Sequence, residues 1–374
     1  MTRARVEAAA ADRADREPAG PEPVPHGRVG SWLATMDPGY FAAVMATGIV
    51  GISARQAGRP LIAETLLWLT GVLFVVLLAA YLARAVRFPR RFASSLKNPS
   101  TAVAYFTLVA GTNVLGSALL PNGPWVLVLV LGIAAAVLWT ILTYGLLCSV
   151  VLAGNRPLLR DINGLWLVWV VGTQSVSVLA TGLAHRLPWP GADRALGVAG
   201  LLAWSVGIVL YVVLVVIIFL RLLLIETTAA EMGPAYWILM GATAISVLAA
   251  AGILALGRAA PVPLLPEMRS FIVGFAVVLW AFGTWFIPML VLFGLWRYLV
   301  RHYPWTYDPK LWSAVFPLGM YAVASTVLGR EIGFGFLTAL AAGWVWIGIA
   351  AWCALVVLML AAVVEGLRRP RATR

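Results

Sequence analysis

Ten uncharged apolar runs follow one another along the chain: Pro38–Ala54, Thr65–Ala83, Thr101–Leu120, Trp125–Gly154, Ile162–Ala184, Ala195–Leu220, Ala235–Gly257, Ser270–Trp296, Leu311–Gly329 and Ile332–Val364. A helix crosses the hydrocarbon of a bilayer with about 20 apolar residues, in a range of roughly 17–25. Each run meets that length. The last is long enough to include a tilt or an interfacial stretch and too short for two spans. Composition agrees, since 62% of the 374 residues are hydrophobic and 11% are charged, against roughly 25% charged in a soluble domain. These runs predict an all-α integral membrane protein of ten transmembrane helices within residues 37–366. Residues 1–36, rich in Ala, Arg, Asp, Glu and Pro, read as a disordered tail, and residues 367–374 as a basic tail.

A net charge of +12 in a soluble protein would suggest nucleic acid. Here the basic residues stand between apolar spans, where they set orientation in the membrane, so no nucleic-acid partner is read from them. Of the 27 Lys and Arg, 20 fall in the first tail, in alternate connections and in the last tail. Seven (Arg55, Arg59, Arg186, Arg194, Arg258, Arg269 and Arg330) fall at the other ends. The positive-inside rule therefore places both termini in the cytoplasm of a cell carrying this protein in its plasma membrane. Cys148 and Cys353 lie singly inside apolar runs, with no disulfide framework or metal-ligand spacing. No metal and no cofactor is read from the chain.

The odd-numbered spans resemble one another: "DPGYFAAVMATGIVGIS", "NPSTAVAYFTLVAGTNVLGS", "INGLWLVWVVGTQSVSV", "GPAYWILMGATAISV" and "DPKLWSAVFPLGMYAVAST". Four begin with proline (Pro38, Pro99, Pro234, Pro309), where the missing N–H costs a helix nothing. An aromatic residue follows, and six residues later a small or polar one: Phe41 to Thr47, Phe106 to Thr112, Trp166 to Gly172, Trp237 to Thr243. Five such segments at alternate spans indicate a duplicated two-helix unit, and parallel units about an axis along the membrane normal can close into a ring. Polar groups facing lipid are costly, so the odd helices are expected inside and the even ones against lipid. Thr47, Thr112, Thr173 and Thr243 are then expected on a common aqueous path, with Gly319 in the ninth span. Small residues in membrane helices also allow close helix packing without any pore, and for each residue taken singly that reading stands beside the first.

The segments "PGYFAAVMATGIV", "GPAYWILMGATAI", "FGTWFIPMLVLFGLWRY" and "YDPKLWSAVFPLGMYA" resemble the tellurite-resistance/dicarboxylate transporter family, which includes the plant slow anion channels. The resemblance covers residues 37–366. It implies five helical hairpins around a central pore, often a homotrimer, and a phenylalanine of the ninth helix that plugs the pore. By motif that residue is Phe316. The family spans anion channels and proton-coupled carriers or exporters of C4-dicarboxylate, sulfite or tellurite-type anions, so both modes stay open.

Pro317 cannot donate to the carbonyl of Ser313, which predicts a kink beside Phe316. Four residues from each first aromatic, Met45, Ala110, Val170 and Gly241 are expected level with Phe316, a layer with one bulky ring. A buried phenylalanine by itself is better explained by packing; the adjacent proline and the resemblance reverse that and favour the plug. No Asp or Glu lies within the odd spans, and His26, His185 and His302 fall in tail or loops. Cation pathways use carboxylate rings, and coupled carriers commonly use buried carboxylates or histidines. Small anions are therefore the expected cargo. A membrane enzyme would need a paired acid, a nucleophile with its base or a ligand cluster, and none is spelled out.

Overall fold

The computed structural model describes residues 27–154, 158–259 and 264–368, and every regular element among them is helical. In chain order these are α1 (Arg28–Thr35), α2 (Pro38–Gln56), α3 (Pro60–Arg87), α4 (Pro89–Lys97), α5 (Pro99–Leu119), α6 (Trp125–Val151), α7 (Gly164–Ala184), α8 (Ala192–Leu224), α9 (Pro234–Arg258), α10 (Leu265–Val300), α11 (Pro309–Glu331) and α12 (Gly335–Arg368). Nine are long and apolar enough to span a membrane. The tenth, α2, meets that test together with α1, from which it is bent by 91°.

The helices sort into two layers. In α5, α7, α9 and α11, 78–83% of the most apolar window is buried, against 11–33% in α3, α6, α8, α10 and α12. α2 belongs with the first group, because its residues from Ala42 to Ala54 are nearly all buried. The buried helices touch in sequence, α2 to α5, α5 to α7, α7 to α9 and α9 to α11, and α11 returns to α2, closing a ring. Each outer helix packs on the ring helix that precedes it in the chain. Apolar side chains on the outer layer, such as Trp68, Val130, Val213 and Val357, are exposed, which only a lipid environment makes inexpensive.

A 3-10 turn stands near the start of every ring helix, first in four of them and after the α-helical turn Pro99–Ala102 in α5. Four are capped by a side chain accepting a backbone N–H two residues on: Asp37 from Gly39 (2.7 Å), Asn98 from Ser100 (3.0 Å), Asn163 from Leu165 (2.9 Å) and Asp308 from Lys310 (2.9 Å). Asp and Asn lead the N-cap preferences because they satisfy an otherwise orphaned donor. At the same end of the molecule, three outer helices finish in buried arginines that hold the connecting backbone. Arg84 donates to the carbonyl of Met36 (2.7 Å), Arg221 to that of Arg160 (3.1 Å), and Arg297 to those of Ala229 and Ala230.

The expectation of a disordered tail reaching residue 36 is corrected. α1 occupies Arg28–Thr35, with Leu33 and Ala34 packed on Phe88 and Met36 buried. Residues 1–26 and 369–374, including His26, lie outside the described residues. α12 carries the last helix to Arg368, past the expected start of the second tail at 367.

Candidate functional site

A cavity of about 320 Å³ lies within the ring and takes its walls from all five ring helices. On α2 the lining residues are Ile49, Ile52 and Gln56; on α5, Asn113, Val114, Ser117 and Leu120; on α11, Met320 and Val323. α7 supplies Ser175, Val178, Thr181, Gly182 and His185, and α9 supplies Ile245, Leu248, Gly252 and Ala255. Such spacings of three and four residues mark one face of a helix. No carboxylate lines the cavity. Its polar groups gather on the α5 and α7 side, where Asn113 Nδ2 donates to Ser175 Oγ (2.9 Å).

One turn before the first lining residue of each helix stand Met45, Ala110, Val171, Gly241 and Phe316. All five are buried and none lines the cavity; they lie one turn below it on the lining faces, a set called the floor layer. Phe316, 1% exposed, shares a helix face with Met320 and Val323, four and seven residues on. On α7 the residue on the lining face at this level is Val171, next to the expected Val170, and both are buried. The count from Trp166 differs by one because Trp166 is the third residue of its 3-10 turn, where Phe41 and Trp237 are the last of theirs; counting eight residues from the caps Asp37, Asn163 and Asp308 gives Met45, Val171 and Phe316.

Pro317 is accommodated rather than disruptive. α11 continues as α-helix from Trp312 to Glu331 with the proline inside it. A Cβ on Gly241 of α9 would stand 2.7 Å from Pro317 Cγ, so the bare glycine supplies the space the ring occupies. Gly319 meets its neighbours in the same way. A Cβ there would come within 2.9 Å of Ile49 Cγ2 and 3.2 Å of the Val50 backbone nitrogen, which makes Gly319 a close-approach residue between α11 and α2, not a cavity wall.

The threonines also depart from expectation. None of Thr47, Thr112, Thr173 and Thr243 lines the cavity. Thr47 Oγ1 accepts from Trp352 Nε1 of α12 (3.0 Å) and Thr173 Oγ1 from Trp139 Nε1 of α6 (2.8 Å). Thr243 Oγ1 fills the space over Gly283 of α10, where a Cβ would lie 2.1 Å away. Thr112 bonds the Leu108 carbonyl of its own helix (2.7 Å). These residues follow the floor layer by two positions, a rotation of about 200° on an α-helix, which turns them toward the outer shell. Trp280 of α10 makes a similar bond, to Ser325 Oγ of α11 (2.8 Å).

Four groups on or near the cavity wall were not singled out from the sequence: Asn113, Ser175, Gln56 and His185. Gln56 Oε1 is buried without a hydrogen-bond partner. His185 lies in the turn just after α7, outside the helix as expected, and is exposed at the rim. Beside the rim Arg55 donates to the Ala118 carbonyl (3.1 Å), and Arg186 to the Leu120, Pro121 and Gly123 carbonyls. The spacing Asn113–Ser117–Leu120, read as a helix face instead of a motif, would have found the first of these.

A shell of lipid-facing helices around a ring that encloses its own cavity defines a multi-pass membrane protein. Residues 35–360 match the voltage-dependent anion channel family, and the chain belongs to it. This agrees with the resemblance carried by the "DPKLWSAVFPLGMYA" segment and its companions. An uncharacterized membrane protein of Mycobacterium tuberculosis is 39% identical over 151 residues, which is 40% of this chain and 75% of that protein. Two uncharacterized transporters of Methanocaldococcus jannaschii align more fully. One is 24% identical over 84% of this chain and 90% of its own length; the other is 25% identical over 86% and 93%.

Proposed function

We propose that the protein passes small anions along the axis of the five-helix ring, five parallel two-helix units forming the pore, with Phe316 as the plug that closes it. The observation that supports this is the place of Phe316, buried one turn below Met320 and Val323 on the face of α11 that lines the cavity. A single aromatic ring among Met45, Ala110, Val171 and Gly241 makes a hydrophobic constriction of the kind that gates by excluding water. The walls above it carry amides and hydroxyls and no carboxylate, which suits anions that shed water readily. A coupled carrier of carboxylate or sulfite-type anions is the second reading, favoured by the one titratable lining group, His185, at the rim.

Phe316→Ala tests the plug. Removing the ring is expected to raise chloride or nitrate efflux from proteoliposomes, per folded protein, by at least about tenfold, equivalent to about 1.4 kcal/mol off the barrier. If Phe316 only packs, the deletion costs ~3–5 kcal/mol of stability. Folded yield then falls while flux per molecule stays at the wild-type level, and the proposal fails. Currents far above carrier turnover assign the channel mode; saturable uptake that collapses with the pH gradient assigns the carrier.

A further inference from the structure

Arg258, Arg269 and Arg330 are three of the seven basic residues at the sparsely charged ends of the spans, and they gather where α9, α10 and α11 meet. The positive-inside rule makes that the outer side and disfavours arginine there, so their gathering has another cause. A cavity of about 380 Å³ lies beside them, between α9 and α11. It shares Leu248, Gly252 and Ala255 of α9 with the central cavity. On α11 its walls are Val327, Arg330 and Glu331. Met320 and Val323 of the central cavity lead to Val327 and Arg330 in steps of three and four residues, along one helix face. The two spaces therefore adjoin, and the second is a vestibule beside the first.

The charges of the vestibule do not cancel. Glu331 is its one carboxylate, with a side chain 5% exposed. Both oxygens of Glu331 accept from Arg258 Nη1 (2.5 and 2.7 Å), and Oε1 accepts from Arg269 Nη2 as well (2.9 Å). Three guanidiniums thus stand around one carboxylate, and that carboxylate is already held by two of them. Arg330 is exposed on the vestibule wall and forms no ion pair among the described residues. We infer that Arg330 and Arg258 make this vestibule a recruitment site for small monovalent anions of the halide, nitrate and carboxylate class, concentrating them beside the central cavity.

The attraction works by charge and asks for no particular shape, so the site gathers anions without holding them. A cleft lined by one sign of charge focuses its field and raises the local concentration of the opposite ion. One unit charge about 6 Å away in water enriches a monovalent anion about threefold and depletes a cation by about the same factor. Most of that effect survives at about 0.01 M salt, where the Debye length is ~30 Å, and almost none at about 1 M, where it is ~3 Å. The vestibule serves the anion path proposed above, and its charge can be measured without any transport.

The measurement uses Val327→Cys, half-buried in the vestibule wall, in full-length protein in detergent with Cys148 and Cys353 replaced by Ser. Its labelling rates with an anionic and a cationic methanethiosulfonate of similar size are taken as a ratio. The thiolate fraction enters both rates, so the ratio reports the local potential alone. At about 0.01 M salt the ratio should favour the anionic reagent, relative to the same ratio for a small thiol in solution. Arg330→Gln should lower it by at least about fivefold, since one rate falls while the other rises. Arg330→Lys, which keeps the charge, should leave it near the wild-type value, and about 1 M salt should erase the difference between variants. A ratio unchanged by Arg330→Gln, a loss equally large in Arg330→Lys, or a difference that survives high salt overturns the site. A Val327→Cys that neither reagent labels overturns it as well. Chloride flux separates this outcome from that of the anion path. At low salt Arg330→Gln should carry about two- to threefold less than wild type, and equal flux in the two overturns the recruiting role. If no variant carries chloride while the labelling ratios behave as expected, the vestibule keeps its preference for anions and the reading of the path fails.

Discussion

A hydroxyl in a membrane helix is satisfied by its own backbone or by a neighbour, and here the neighbour is often a tryptophan of the outer shell. Thr47 receives Trp352 and Thr173 receives Trp139, tying the two layers together at buried positions. Thr47→Val keeps the shape and removes the acceptor, leaving the Trp352 N–H unpaired. Hydrogen bonds between membrane helices average about 0.6 kcal/mol and reach ~1.7, so a small fall in thermal stability is expected while anion flux per protein stays at the wild-type level. A flux change matching that of Phe316→Ala would return Thr47 to the conducting path. Gly241→Ala probes the floor from the other side. Its Cβ would approach Pro317 Cγ to 2.7 Å, an overpacking of ~1–3 kcal/mol whose relief must move the residue next to Phe316. Both folded yield and efflux should change; an alanine tolerated in both would show that the Pro317 contact does not position Phe316. The burial of Phe316 was legible, because it is a large apolar side chain in the most polar class of spans. The facing of the threonines was not, because helices that are apolar on every side carry no hydrophobic stripe to show direction.

At the scale of the element, an Asp or Asn before Pro or Gly recurs at the start of four of the five ring helices. Its side chain satisfies a backbone donor of the first turn. Asp308→Ala is expected to cost 0.5–2 kcal/mol, the usual range for losing an N-cap, read as a lower melting temperature. Asp37→Ala should behave alike; no loss in either would mean that neighbouring helices, not the caps, hold these turns. Prolines marked four of the five starts in the sequence, yet the depth count taken from aromatics slipped in α7, where Trp166 lies inside the 3-10 turn and Leu167 ends it. A Cβ on Gly111 would come within 3.2 Å of Phe41, and one on Gly172 within 3.1 Å of Phe106, so these two rings each seat on a glycine of the next ring helix. α1 was missed because composition averaged over 36 residues conceals the short apolar face of Trp32, Leu33 and Met36.

For the whole molecule, an all-helical protein of nine or ten spans and the division into buried and exposed helices were readable, since length and polarity carry both. The central cavity was not, because it depends on how five helices turn about their own axes. Cavity and charge together make a prediction about orientation. The cavity opens by His185, at the ends that carry only seven of the 27 basic residues, which the positive-inside rule assigns to the outside. The basic surplus at the opposite end has a second role that the rule ignores, since Arg84, Arg221 and Arg297 are buried clamps. Replacing Cys148 and Cys353 with Ser or Ala clears both free thiols, which are exposed on the outer layer. In that background Ala192→Cys, at the start of α8, and Val323→Cys, in the cavity wall, should both react with an impermeant thiol reagent added to intact cells. Val357→Cys, exposed on lipid-facing α12, should stay unlabelled, because thiolates do not form in hydrocarbon. If Ala192→Cys and Val323→Cys react only after permeabilisation, the orientation is reversed and the cavity faces the cytoplasm. If Ala192→Cys reacts and Val323→Cys does not, the orientation holds and the cavity is closed to water at the rim. Adding Phe316→Ala to the Val323→Cys variant then extends the test across the floor. With the ring removed, reagent supplied from the cytoplasmic side of inverted vesicles should reach Val323→Cys, and with Phe316 in place it should not.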